Sequence, residues 1–170
     1  KNGLRVGEMG PEDFLALRQG LTMADASNLF DKSFLRPELI ELACNVHARR
    51  YFIRALDSGD KRAALPIAAY ERIYDIEEEV SQLSDAERTD VRRQKTKPIY
   101  DELLSWCRLH LPHEPPKTPL ATACAYLINH HVALMRFLDD GSIPPDNSLV
   151  ERLHRRPAIG RRNFLFVGSH

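Results

Sequence analysis

Glu151 stands at the head of a run of arginines: Arg152, Arg155 and Arg156 follow it, and Arg161 and Arg162 close the same stretch before Asn163. A carboxylate embedded in a basic surface fits a metal-dependent enzyme acting on a phosphate backbone. The acid holds the cation, and the arginines neutralise the substrate. The spacing also allows a plain ion-paired helix, because Arg155 lies four residues after Glu151 on the same helical face. A second acid, Asp25, ends the short apolar run Leu21-Thr22-Met23-Ala24 and precedes the polar turn Ala26-Ser27-Asn28. At a strand tip it can project into a cleft and ligate a divalent cation. Read in isolation, the simpler role is an N-cap for a following short helix, where Asp is preferred.

Two Cys-x-x-His pairs, Cys44 with His47 and Cys107 with His110, could together supply four ligands to a structural zinc. The competing reading is stronger for the second pair, which lies in an amphipathic helix beside Trp106, where cysteine behaves as a small core residue. His130 and His131 are neighbours on a long helix and point about a hundred degrees apart, a poor chelating pair, so at least one is expected in the core or between helices. The stretch His47-Ala48-Arg49-Arg50-Tyr51-Phe52 mixes cations with aromatics. Arg49 and Arg50 could meet a phosphate backbone, or the segment could be a helix with Tyr51 and Phe52 turned partly inward. No Ser/His/Asp nucleophile motif and no glycine-rich phosphate loop occurs.

The elements that must position these residues read as follows. Pro11-Glu12-Asp13 opens a helix closed by Gly20. Leu21 to Ala24 is a strand delivering Asp25. Leu39 to Cys44 is a second strand, followed by a helix from Val46 to Leu56 and a break at Ser58-Gly59-Asp60. Apolar residues at helical spacing predict a helix from Pro66 through Leu83. Ser84 and Glu87 form a capping box for the next, which runs toward Leu111 with a kink or break at Pro98. Leu111 to Pro116 is a loop. Thr118-Pro119 starts a last long helix ending near Gly141, and Asn163 to Val167 reads as a strand.

The chain has 170 residues, with 24 basic and 24 acidic side chains and a formal net charge of zero. Nucleic-acid binding is therefore not advertised by the whole chain, and any basic footprint must be local. Three widely spaced cysteines argue against a secreted disulfide framework. With no apolar run of membrane-spanning length and no signal-peptide pattern, the expectation is a soluble cytoplasmic protein. The start at Lys1 and the stop at Gly168-Ser169-His170 read as the cut ends of something longer.

The segments occur in the order and wording of the IS66-type bacterial transposases. Met23-Ala24-Asp25-Ala26 resembles the family's strand bearing its second catalytic acid, and Cys44 with His47 through Phe52 resembles its cysteine-x-x-histidine-alanine-arginine-arginine block. Ile73-Tyr74-Asp75-Ile76-Glu77 and Pro98-Ile99-Tyr100 through Trp106 are similar to its first insertion helices. Asp146-Asn147, Glu151-Arg152 and Ile159 through Phe166 resemble the signature around its last catalytic glutamate. The chain departs from the pattern at Ser148, where a second asparagine is usual, and at His131, where a tryptophan is common. Nothing before Asp25 resembles the strand bearing the first acid; Glu8, Glu12 and Asp13 sit in a loop-helix context.

The resemblance implies a mainly α fold with a few strands (α+β), a partial RNase H-like core interrupted by a large all-helical insertion. The core would comprise residues 1–47 and 142–170, and the insertion residues 48–141. It also implies Asp25 and Glu151 as catalytic ligands of magnesium, two ions in the complete site. Arg49, Arg50, Arg152, Arg155, Arg156, Arg161 and Arg162 would contact DNA, in a homo-oligomeric transposition complex associated with the nucleoid. Two other readings remain open: a non-catalytic DNA-binding or assembly remnant, and a zinc-stabilised helical interaction module using Cys44, His47, Cys107 and His110.

Overall fold

A computed structural model describes residue 15, residues 17–24 and residues 33–147. Two short strands, β1 (Gly20–Ala24) and β2 (Leu39–Ala43), lie parallel and precede a block of helices. These are α1 (Asn45–Asp57), α2 (Ala64–Glu79), α3 (Asp85–Val91), α4 (Lys97–His110) and α5 (Pro119–Met135). Among the described residues the fold is thus mainly α with a small two-stranded sheet, the class the sequence predicts.

Four of the helices, all but the short α3, bury an apolar stripe set by the 3.6-residue period. On α1 the stripe is Ala48, Phe52 and Ala55; on α2 it is Ile67, Tyr70, Ile73 and Ile76. Leu103 and Cys107 of α4 and Leu120, Ala123, Cys124 and Leu127 of α5 complete the same core, which also takes in Leu42 and Ala43 of β2. The sheet is therefore continuous with the helical block through its inner face. A chain of aromatic contacts runs through the centre. Phe52 and Tyr70 have centroids 6.3 Å apart, Tyr70 and Tyr100 6.2 Å, and Tyr100 and Phe137 6.1 Å. Offset and edge-on pairs of this kind add to the energy of burial.

The helix starts follow local rules. Ser84 accepts from the Glu87 backbone and Glu87 returns a bond to the Ser84 amide, so the expected capping box is present. Thr118 accepts from the Ala121 amide and caps α5, with Pro119 in its first turn. Gly141 allows a close approach: a Cβ there would lie 2.0 Å from the Asp85 carbonyl oxygen.

Three expectations need correction. Gly20 does not close a helix but opens β1, with φ of +84° that suits glycine. The break expected at Pro98 falls earlier, as a π turn at Arg92–Thr96, and Pro98 sits in the first turn of α4. Proline has no amide hydrogen and its ring crowds the carbonyl four residues back, so widening the preceding turn accommodates it without ending the helix. The last helix ends at Met135 and not near Gly141. A 3-10 turn at Arg136–Leu138 follows. The carbonyls of Phe137, Asp140 and Ile143 instead accept from the Arg92 guanidinium, at 2.7, 3.0 and 3.1 Å.

Most of the helix expected from Pro11, together with Asp25, Glu151, the downstream arginines and the strand from Asn163 to Val167, lies outside the described residues.

Candidate functional site

β1 and β2 pair in register from Gly20 with Leu39 to Ala24 with Ala43, so both strands end at the same edge. In open parallel α/β sheets, binding sites gather beyond the carboxyl ends of the strands. What stands at this end is a clamp between the entry to α1 and a segment a hundred residues later.

Cys44, fully buried, donates from Sγ to Oδ1 of Asn147 at 3.0 Å. Next to it, the Asn45 backbone amide donates to the Pro145 carbonyl at 3.2 Å. The Asn45 side-chain Nδ2 donates to the same carbonyl at 2.9 Å and to the Leu134 carbonyl at 3.2 Å. Its Oδ1 accepts from the Tyr100 hydroxyl. The Tyr74 hydroxyl of α2 donates to Oδ2 of Asp146 at 2.9 Å. Pro145, Asp146 and Asn147 are thus each fastened, by α1, α2 and the residue that follows β2. Arg136 adds a tie between the end of α5 and the sheet, donating from Nη1 to the Glu41 carbonyl at 2.6 Å.

The electrostatics agree with a tight, water-poor junction. Burial pushes the Cys44 thiol up, with the Asp146 charge adding to it, so the thiol stays protonated and can donate. Burial and then the Asp146 carboxylate push the Tyr74 phenol up, which keeps its proton on the bond to Asp146.

A second anchor sets the approach to the clamp. Arg92 is 1 % exposed and forms a two-point pair with Glu77, Nε to Oε1 at 2.9 Å and Nη2 to Oε2 at 2.6 Å. Its guanidinium lies 5.0 Å from the Phe137 ring centroid while Nη1 takes the three carbonyls of residues 137, 140 and 143. A planar fork with fixed donors suits this role, and a lysine could not reproduce it.

Of the residues singled out by sequence, Cys44 joins the clamp. His47 lies half-buried in the first turn of α1. Arg49 is turned to α2 and pairs with Glu71 at 3.1 Å, whereas Arg50 is exposed. Phe52 is in the core and Tyr51 is half-buried, so the inward reading of both aromatics holds.

The four-ligand zinc alternative is corrected. Among the described residues no group of three or more His, Cys, Asp or Glu side chains is placed to hold a metal. The second pair is committed elsewhere: Cys107 shares a hydrogen bond with Cys124, which with burial pushes its thiol up. The His110 ring stacks on Trp106 at 4.0 Å, and its Nδ1 lies 2.8 Å from the Trp106 carbonyl. His130 and His131 are both half-buried, the first against Tyr126 at 4.7 Å. Neither enters the core. Asp25, Glu151, Arg152, Arg155, Arg156, Arg161 and Arg162 lie outside the described residues.

Sequence reasoning missed Asn45, Tyr100 and Arg92, and gave Tyr74 no role of its own. The available signal was polar residues inside apolar patterns, such as Asn45 directly after a buried strand, but the side-chain partners of Asn45 are 55 to 100 residues away and those of Arg92 15 to 51. A separate groove of about 380 Å³ between α2 and α4 is lined by Leu65, Ala69, Arg72, Glu102 and Trp106 and takes no residue from the sheet end.

The family model described as "Transposase IS66 family" matches residues 5–170, and the chain belongs to that family. Among curated relatives it is similar to the uncharacterized protein y4hP of Sinorhizobium fredii, at 29% identity over 94% of the chain and 32% of that protein. It is also similar to y4qI of the same bacterium, at 37% identity over 78% of the chain and 25% of that protein. A third relative, y4jD, is 32% identical over 74% of the chain and 25% of its own length. The chain thus spans about a third or less of the curated relatives it matches. No solved structure matches it. Among the described residues no helix is long and apolar enough to cross a membrane.

Proposed function

We propose that this chain is the part of a DDE-type transposase that carries two of its three catalytic carboxylates, Asp25 and Glu151. The whole protein cuts and joins DNA. The single observation that supports this most is the meeting of the β1–β2 end with Asn147. Asp25 follows Ala24 directly, and Ala24 pairs with Ala43, whose neighbour Cys44 holds Asn147. Glu151 follows Asn147 by four residues, a reach of at most about 15 Å at 3.8 Å per Cα step. The described neighbours of two acids 126 positions apart in sequence, Ala24 and Asn147, thus meet at one end of one sheet, which supports a shared site.

In this reading residues 1–47 and 142–170 belong to an RNase H-like core and residues 48–141 are a helical insertion. Carboxylates alone are a hard oxygen donor set, which suits magnesium and not zinc. The family's first acid has no counterpart recognised before Asp25, which here stands as the second acid with Glu151 as the third. Two magnesium ions held there would activate water or a DNA 3′-hydroxyl and stabilise the leaving oxygen. The nucleophile's oxygen attacks phosphorus in line, the bridging P–O bond breaks, and a 3′-hydroxyl leaves. Asp25 and Glu151 hold the reacting centre, and Arg152, Arg155, Arg156, Arg161 and Arg162 neutralise the phosphates on either side. The partners are the element's DNA ends and a target duplex, engaged by an oligomer of the full protein in the bacterial cytoplasm.

The test is Glu151→Gln in the full-length protein, assayed for strand transfer on a labelled duplex bearing the element's end. Transfer should be lost while DNA binding is kept. Transfer at the unsubstituted rate would overturn the assignment. The same assay with Asp25→Asn should give the same result.

A further inference from the structure

Arginines Arg50 and Arg54 are one helical turn apart on the exposed face of α1, and among the described residues neither has a carboxylate partner. Many cations elsewhere are neutralised: Arg49 by Glu71, Arg62 by Asp60 and Glu114, Arg92 by Glu77, Lys95 by Glu79 and Lys97 by Asp101. In a chain of zero formal net charge this leaves a local positive strip.

One end of the strip is also held in place. The Arg54 guanidinium lies 5.3 Å from the Tyr51 ring centroid, Tyr51 packs on Tyr126 of α5 at 4.6 Å, and Tyr126 contacts His130 at 4.7 Å. A free arginine loses side-chain entropy when it binds. One already resting on an aromatic face that is wedged between two helices loses less. Arg50 and Arg54 are about 6 Å apart along the helix axis, close to two steps of about 3.4 Å along a duplex strand. The helix that carries them starts at Asn45, in the clamp itself.

We infer that the outer face of α1, Arg50 together with an Arg54 steadied by Tyr51, is a docking track for the phosphate backbone of duplex DNA leading away from the sheet end. The inference rests on the proposed DNA-joining function and assigns its substrate contact to α1. Arg49, spent on Glu71, is not part of the track.

The experiment measures binding of the full-length protein to a short duplex of arbitrary sequence over a series of salt concentrations. Each phosphate contact contributes about 0.9 to the slope of log affinity against log salt. Arg50→Gln with Arg54→Gln should lower that slope by about 2. Arg50→Lys with Arg54→Lys should keep it. Tyr51→Leu, which leaves both charges, should weaken binding several-fold with a smaller change in slope. Arg108→Gln, an exposed arginine of α4, should change neither. An unaltered slope in the double glutamine variant, or an equal fall in Arg108→Gln, overturns the track. If Glu151→Gln still abolishes transfer in that case, the catalytic reading survives. Retained transfer in Glu151→Gln with a lowered slope in the arginine variants overturns the catalytic reading and keeps the track.

Discussion

Cys44 and Asn147 lie 103 residues apart in sequence and are joined by a hydrogen bond of 3.0 Å from the thiol to the side-chain amide oxygen. This contact closes the loop formed by the whole helical block. Everything between β2 and the returning segment is spanned by one junction, and Asn45 beside it is fully buried with three partners.

Replacement of Asn45 by Ala is expected to destabilise the protein by about 3 kcal/mol, because the Leu134 carbonyl and the Tyr100 hydroxyl lose their buried partner and the Pro145 carbonyl keeps only the backbone amide of residue 45. Denaturant unfolding gives the value. Hydrogen exchange should speed up around residues 143–147 before it does in α4. A loss under 1 kcal/mol would mean that the clamp does not hold the returning segment.

Arg92→Met should destabilise by about 3–5 kcal/mol, since it leaves Glu77 charged, largely buried and alone. Combining it with Glu77→Leu should recover much of that loss, because an apolar pair of similar size removes the unpaired charge. The double-mutant cycle measures the coupling. Additive losses would show that the two side chains do not act as a pair.

At the approach of Asp85 to Gly141, Gly141→Ala should destabilise by about 1–3 kcal/mol through overpacking against backbone. Ser84→Ala, which removes the cap of the same helix, should lose about 1 kcal/mol. Both act at the start of α3, so thermal melts of the double variant should show less than the sum.

The raised Cys44 and Tyr74 groups, together with the buried Cys107, Tyr70 and Tyr100, shape the alkaline limit of stability. A group whose folded pKa is raised binds more protons when folded than when unfolded, over the interval between the two values. Stability from that group is therefore intact below the unfolded pKa and falls as pH rises beyond it. The decline should begin near pH 8.5, where an unfolded thiol ionises, and steepen near pH 10 with the phenol. Urea midpoints measured from pH 7 to 10.5 check this, and Cys44→Ala should flatten the first part of the decline. The same burial should leave Cys44, Cys107 and Cys124 unreactive toward an alkylating reagent until the protein is unfolded.

Local features were legible in the chain to within a few residues. The stripe Ile67, Tyr70, Ile73 and Ile76 announces α2, the Ser84–Glu87 box announces α3, and Thr118-Pro119 announces α5. The two strands were readable because short apolar runs ended at polar turns. Less legible was where helices stop. The α5 boundary depends on Arg92 capturing carbonyls from Phe137 to Ile143, and no spacing rule near residue 135 reports a guanidinium 45 residues upstream.

For the proposed site, the sequence by itself determined the residue types, acids at Asp25 and Glu151 and a run of arginines after Glu151, and an order of motifs specific enough to name the family. It did so because helix periodicity, capping and turn chemistry are short-range, and because motif order survives without coordinates. Only the tertiary structure decided that Cys44 bonds to Asn147, that Arg49 faces Glu71 while Arg50 faces outward, and that Tyr74 and Asn45 hold the segment of residues 145–147. These choices turn on which buried polar groups find partners across long loops, and that is settled by the packing of the whole helical block and not by neighbours in the chain.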